Sequence, residues 1–114
     1  MRIWNRTRNL LLAGDVAVAN TSATRRAGLL GRTGLTAGEG LWITPCEAVH
    51  TIGMKFPIDV VFLNKRKEVV KVRAGLGPWR ISGSLRAHSV LELPAGTAAG
   101  TATQPGDQLE FLRD

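Results

Sequence analysis

Apolar and polar positions alternate in short runs along this chain, the pattern of strands that turn one face to a core. Residues Arg2–Asn5 and Leu10–Asn20 read as extended, with Val16 and Val18 alternating with Ala17 and Ala19. Leu41–Thr44 is a short strand that Pro45 stops, because proline has no N–H to give a ladder. The strongest hairpin pairs Ile58–Leu63 with Glu68–Ala74 across the turn Asn64-Lys65-Arg66-Lys67. Its first strand is apolar on both faces (Ile58, Val60 and Phe62; Val61 and Leu63), as a strand covered from both sides must be. In its second, Val70, Val72 and Ala74 alternate with Lys71 and Arg73, so one face meets water. Ser89–Leu93, with Val90 and Leu91 as core, and Gln108–Leu112, with Leu109 and Phe111 inward, complete the strands.

One segment changes period. Thr21 or Ser22 can cap a helix over Ser22–Leu30 by accepting from free N–H groups of the first turn. Ala23, Ala27 and Leu30 recur at i, i+4 and i+7 as an apolar stripe, with Arg25, Arg26 and Arg32 off it. Gly31 suits the left-handed position after the last turn. Gly28 falls mid-helix, at a cost of about 1 kcal/mol against Ala, which points to close packing on a strand. Gly75–Gly83, with Trp79 inside it, reads as a loop, and Ala95–Thr103 as a weak short helix. The predicted class is α+β, mostly β: a small antiparallel barrel or sandwich with one clear helix and one weak short helix.

Composition sharpens this picture only in places. The 114 residues fit one domain spanning 1–114, and no repeat or linker divides them. With three Trp, three Phe and no Tyr, the core must be aliphatic. A lone cysteine, Cys46, excludes an internal disulfide and a cysteine-rich zinc site. Arg2, Arg6 and Arg8 ahead of Leu10-Leu11-Leu12 look superficially like a secretion signal, but Asp15 interrupts the apolar run. No stretch approaches the roughly 18 apolar residues that span a bilayer, so the cytoplasm is the expected compartment, without a membrane partner. The net charge is +6, and 11 of the 15 basic residues are Arg. Such a field attracts anions. Yet Arg25-Arg26 and Lys65-Arg66-Lys67 are the only basic runs, and no aromatic residues interleave with them to stack bases. Nucleic-acid binding is therefore unlike this sequence, and weak binding through a basic surface ranks as a second alternative.

The chemically informative stretch is Pro45–Asp59. Here the chain resembles the domain-of-unknown-function family numbered 192. An Arg-x-Gly-Leu-x-Gly-Arg segment is matched by Arg26, Gly28, Leu29, Gly31 and Arg32. A His-Thr-x-x-Met segment leading into Pro-x-Asp is matched by His50, Thr51, Met54, Pro57 and Asp59. Leu91–Pro94 with Gly96, and Gly106-Asp107, match the later segments, so the resemblance runs over nearly the whole chain in the right order. It implies a compact β-rich fold with short helices and carries no particular activity.

Three chemistries compete for this stretch. Cys46 and His50, four residues apart, could form a thiolate–imidazole pair; no orienting partner or glycine-rich oxyanion turn accompanies them. Cys46, His50 and Met54, with His88, make a soft ligand set that favours copper; Met54 reads more simply as a core plug, and no metal is expected. In the third reading Asp59, in register with Val61 and Leu63, is a buried carboxylate that needs donors. Those expected are Thr51, backbone N–H groups of residues 50–56, or Arg32. Asp59 then staples that loop to the sheet, and the same pocket, with His50, Thr51 and Trp42 at its rim, takes a small polar or anionic ligand.

The leading expectation is a non-enzymatic binding or interaction module without a cofactor. Its candidate site comprises His50, Thr51, Met54, Asp59, Cys46, Trp42 and Arg32, with no catalytic residue assigned. A thiol-dependent enzyme using Cys46 and His50 is the first alternative. Gly75-Leu76-Gly77-Pro78 lacks the lysine of a phosphate loop, and no carboxylate pair invites acid–base hydrolysis.

Overall fold

Strand pairing organises the chain around a single central segment near its C-terminal end. The computed structural model describes residues 1–113. In chain order its elements are β1 (Arg2–Asn5), β2 (Leu10–Ala13), β3 (Asp15–Ala19), α1 (Ser22–Ala27), β4 (Glu39–Ile43), β5 (Ala48–His50) and β6 (Ile58–Leu63). There follow β7 (Val69–Leu76), β8 (Ile81–Gly83), β9 (Ser89–Pro94), α2 (Thr97–Gly100) and β10 (Leu109–Leu112). A five-stranded sheet runs in the order β3-β4-β9-β6-β7, a three-stranded sheet β10-β1-β2, and a two-stranded ribbon β5-β8. The strands pair antiparallel except for β3 with β4, which the chain joins through α1 and the loop after it. The mostly β class predicted from the sequence is the class observed; the five-stranded sheet is open, so the fold is not a closed barrel.

Alternation of side chains assigns each face its cover. Leu91 and Leu93 of β9, with Val61 and Leu63 of β6, pack against Ile3, Leu12 and Leu109 of the three-stranded sheet. On the opposite face Val90, Ile43, Val60 and Phe62 lie under Leu29, Val49 and Met54, which come from loops and from β5. Regular structure covers one face and irregular chain the other. All six residues of β6 are buried, as expected of a strand apolar on both sides.

Several boundaries differ from the sequence reading. The first helix spans Ser22–Ala27, not Ser22–Leu30, and none of its residues is buried. A capping box starts it: the Thr21 hydroxyl accepts from the Thr24 N–H at 3.1 Å, and the Thr24 hydroxyl accepts from the Thr21 N–H at 3.0 Å. Gly28 is not mid-helix but its C-cap, at φ 49° and ψ −128°. The chain turns there, so Leu29 enters the core while Leu30 stays 52% exposed. The expected Leu10–Asn20 run breaks into β2 and β3 at Gly14, and the expected Gly75–Gly83 loop contains the end of β7 and all of β8. No helix among the described residues is long and apolar enough to cross a membrane.

Asp59 is fully buried on β6, opposite Leu93 of β9. Its carboxylate accepts from the backbone N–H groups of Gly75 (2.9 Å), Gly96 (3.1 Å) and Ala98 (2.9 Å). The expected donors were Thr51, the 50–56 amides and Arg32; instead Asp59 ties the end of β7 to the turn that enters α2. A carboxyl buried in this way is tolerated because each bond is made to a backbone group that itself needs a partner. Asp59→Ala strands those amides, and the expected loss is about 3 kcal/mol or more. A urea midpoint lowered at constant slope would report it; an unchanged midpoint would contradict the bonded arrangement.

Candidate functional site

The irregular cover does not close completely on the sheet. Between α1, the 45–54 segment and β9 lies an open cavity of about 570 Å³. Its walls are mostly apolar, with Leu29, Leu30, Ile43, Val49, Ile52 and Met54 among them. Arg25, Arg26, Cys46 and His50 add polar groups, and so does Glu92.

Glu92 sits mid-strand in β9, between Leu41 of β4 and Val60 of β6. It shares a face with Val90, so alternation drives its carboxyl under the cover and leaves it 3% exposed. Its Oε1 is buried with no hydrogen-bond partner. Burial pushes its pKa from the ordinary carboxylate range up to about 7, because an apolar setting disfavours the charged form. Above it runs Gly28, where an added Cβ would stand 3.9 Å from that oxygen.

Three of the sequence-predicted residues meet here. Cys46 is partly buried, and its thiol donates to the Ala48 carbonyl at 3.1 Å. Burial raises its pKa, and the nearby Glu92 carboxylate raises it further. His50 is exposed at the end of β5, with Nδ1 accepting the Ile52 N–H at 3.3 Å. Met54 is 7% exposed and packs in the core beneath.

The other four lie elsewhere. Thr51 is fully buried, but as a clasp: its hydroxyl donates to the Gly77 carbonyl at 2.6 Å and accepts from the Arg80 N–H at 2.9 Å. Asp59 lies on the face of β6 away from the cavity, the parity of Val61 and Leu63, bonded to the amides of Gly75, Gly96 and Ala98. Trp42 packs toward the three-stranded sheet, edge-on to Phe111 at 4.6 Å between ring centroids. Arg32 pairs with Glu39 at 3.2 Å. His88, weighed as a fourth metal ligand, borders a separate depression beside Asn64 and Arg86. Among the described residues no group of three or more His, Cys, Asp or Glu is disposed to hold a metal.

Sequence reasoning missed Glu92, Arg25 and Arg26 as members of a site. A glutamate between Leu91 and Leu93 reads as the solvent side of a strand. The available signal was that Val90 shares its parity, so the supposed solvent face already held a core residue.

Comparison with known proteins agrees with this architecture. Residues 3–111 match the family model DUF192, described as Uncharacterized ACR, COG1430. A UPF0127 protein of Pyrococcus horikoshii is 31% identical over 116 residues, covering 96% of this chain and 98% of the relative. One from Pyrococcus furiosus is 40% identical over 79 residues, 64% of this chain and 67% of its own. The crystal structure of a protein of unknown function from Novosphingobium aromaticivorans superposes with a TM-score of 0.86 at 24% identity, covering 97% of this chain and 84% of that one. That likeness is one of fold.

The buried acid makes a pH prediction. Because its folded pKa, about 7, lies above the unfolded value of 4.5, the folded state holds the proton more tightly. Its contribution is complete below the unfolded pKa and is lost as pH rises through the folded one. Glu92→Gln should therefore flatten the fall in thermal stability between mildly acidic and mildly alkaline pH, by up to about 3 kcal/mol. Parallel pH profiles for the wild type and the variant would contradict the burial of an ionisable, unpaired carboxyl.

Proposed function

This chain belongs to the DUF192 family, and we propose that its fold serves as a binding module for a small, partly apolar ligand. The ligand lies along Leu29, Ile43 and Met54 with a polar end at Glu92 and an anionic group toward Arg25 and Arg26. The observation that carries this reading is the unpartnered, buried Oε1 of Glu92 in the wall of an open cavity. A buried acceptor without a donor costs on the order of 1–3 kcal/mol, which a ligand donating to it would recover. The cavity volume falls in the range of small-molecule sites, and its balance of apolar walls with few polar groups is theirs too.

The thiol-enzyme alternative draws support from Cys46 and His50 lining one cavity, but burial favours the neutral thiol over the nucleophilic thiolate. A cytoplasmic setting agrees with a free cysteine.

The test uses 1-anilinonaphthalene-8-sulfonate, which combines an aromatic body, an N–H donor and an anionic group. Saturable one-to-one binding to the folded protein is expected, with a rise in melting temperature. Ala27→Trp, placed on the cavity wall, should weaken it about tenfold or more, equal to 1.4 kcal/mol. Absence of saturable binding, or equal binding by Ala27→Trp, would remove the cavity as the site.

A further inference from the structure

The charges around the cavity discriminate among ligand classes. α1 contributes Arg25 and Arg26, the 45–50 segment Cys46 and His50, and β9 Glu92, while β4 and the 52–54 turn line it with Ile43, Ile52 and Met54. Arg25 is already engaged, its Nη1 donating to the Pro45 carbonyl at 3.2 Å and its Nε to the Thr21 carbonyl at 3.3 Å. The exposed Arg26 side chain makes no hydrogen bond or ion pair among the described residues. Glu92 likewise has no ion pair, and its buried Oε1 is unpartnered. One wall thus offers an acid without a cation and the helix a cation without an anion.

We infer that the occupant is a zwitterion, an amphipathic molecule whose primary ammonium pairs with Glu92 and whose carboxylate meets Arg26. This rests on the binding reading above and narrows it. A simple cation would have to approach two arginines on a chain of net charge +6. A simple anion leaves Glu92 without a partner and adds a like charge as soon as that group ionises. A neutral hydroxyl satisfies the oxygen but not the charge. The zwitterion answers both ends at once. When it binds, the protonated fraction of Glu92 loses its proton to the buffer, and the carboxylate pairs with the ammonium, which keeps all its protons; no covalent bond to the ligand forms or breaks.

The experiment is calorimetric titration of the wild-type protein at neutral pH with linear ω-amino carboxylates of three to seven methylenes. Hexylamine, hexanoate and hexanol serve as single-ended comparisons. One chain length should bind about tenfold tighter than any of the three, equal to 1.4 kcal/mol. Its heat should differ between phosphate and Tris buffers because a proton is released. Glu92→Gln should abolish both the preference and the buffer dependence. Arg26→Ala should weaken the amino carboxylate but not hexylamine, which loses a repelling neighbour and binds at least as tightly. Hexanoate or hexanol binding as tightly as every amino carboxylate, with no proton released, overturns the zwitterion and keeps the cavity. Failure of every amino carboxylate to bind also overturns it, and the naphthalene sulfonate titration then shows whether the cavity reading falls as well.

Discussion

β9 is the constraint on which the rest of the fold depends. It is hydrogen-bonded along both edges, to β4 and to β6, and its side chains are buried on both faces. A strand in that position must find cover above and below, because neither its backbone nor its aliphatic side chains can face water without loss. The three-stranded sheet supplies one cover with its own regular ladder. The other is assembled from a six-residue helix, the β5-β8 ribbon and the turns between them. Glu92 projects toward this second cover. The carboxyl there is buried without a donor, and its desolvation is what holds it toward the neutral form beneath a cover that leaves a cavity beside it.

Much of the first layer was legible in the sequence. Ile58–Leu63 carries apolar residues at both parities and is buried at every position. Thr21 caps the helix as read, but Gly31 does not end it: the helix stops at Ala27 with Gly28 as its C-cap, and Gly31 takes its positive φ of 89° in the turn beyond. The overreach came from trusting an i, i+4, i+7 stripe of Ala23, Ala27 and Leu30; alanines bury too little area to outweigh Leu29, which takes the core position once Gly28 turns the chain. The polar cluster was legible only in part. Cys46, His50 and Met54 are neighbours in sequence and remain neighbours around one cavity. Asp59 was rightly read as buried, whereas Thr51, expected at a pocket rim and as a donor to Asp59, is itself fully buried; what the two satisfy are backbone groups at 75–80 and 96–98. Long-range partners of that sort leave no local pattern. Glu92, by contrast, is far from the cluster in sequence and joins it only because β9 is threaded between β4 and β6.

The chemistry of the cavity follows from its walls. The same apolar surroundings push both the Glu92 carboxyl and the Cys46 thiol toward their neutral forms, and the proximity of the two reinforces the effect on the thiol. A nucleophilic cysteine needs a dominant positive neighbour or a helix N-terminus aimed at its sulfur, and here burial outweighs the nearby Arg25. Here the sulfur's hydrogen bond goes to a carbonyl, which engages the protonated thiol as donor. What such a cavity does well is hold a ligand that brings its own charge, since any ion pair formed inside it is screened less than one at the surface.

Gly28 connects the end of the helix to the chemistry beneath it. Its φ of 49° is open to glycine at little cost, and that conformation ends α1 and turns Leu29 inward. The position a side chain would fill is the space beside the free oxygen of Glu92, 3.9 Å away. A helix continued to Leu30 would have kept its backbone regular and carried Leu29 away from the core. The stop at Gly28 therefore does two things with one residue: it recruits the only buried side chain of the 21–32 segment to the sheet, and it places no side chain over the buried carboxyl in the cavity wall. Stability and access are thus set at the same backbone position, and the irregularity of the cover is what allows a charged group on the central strand to be reached at all.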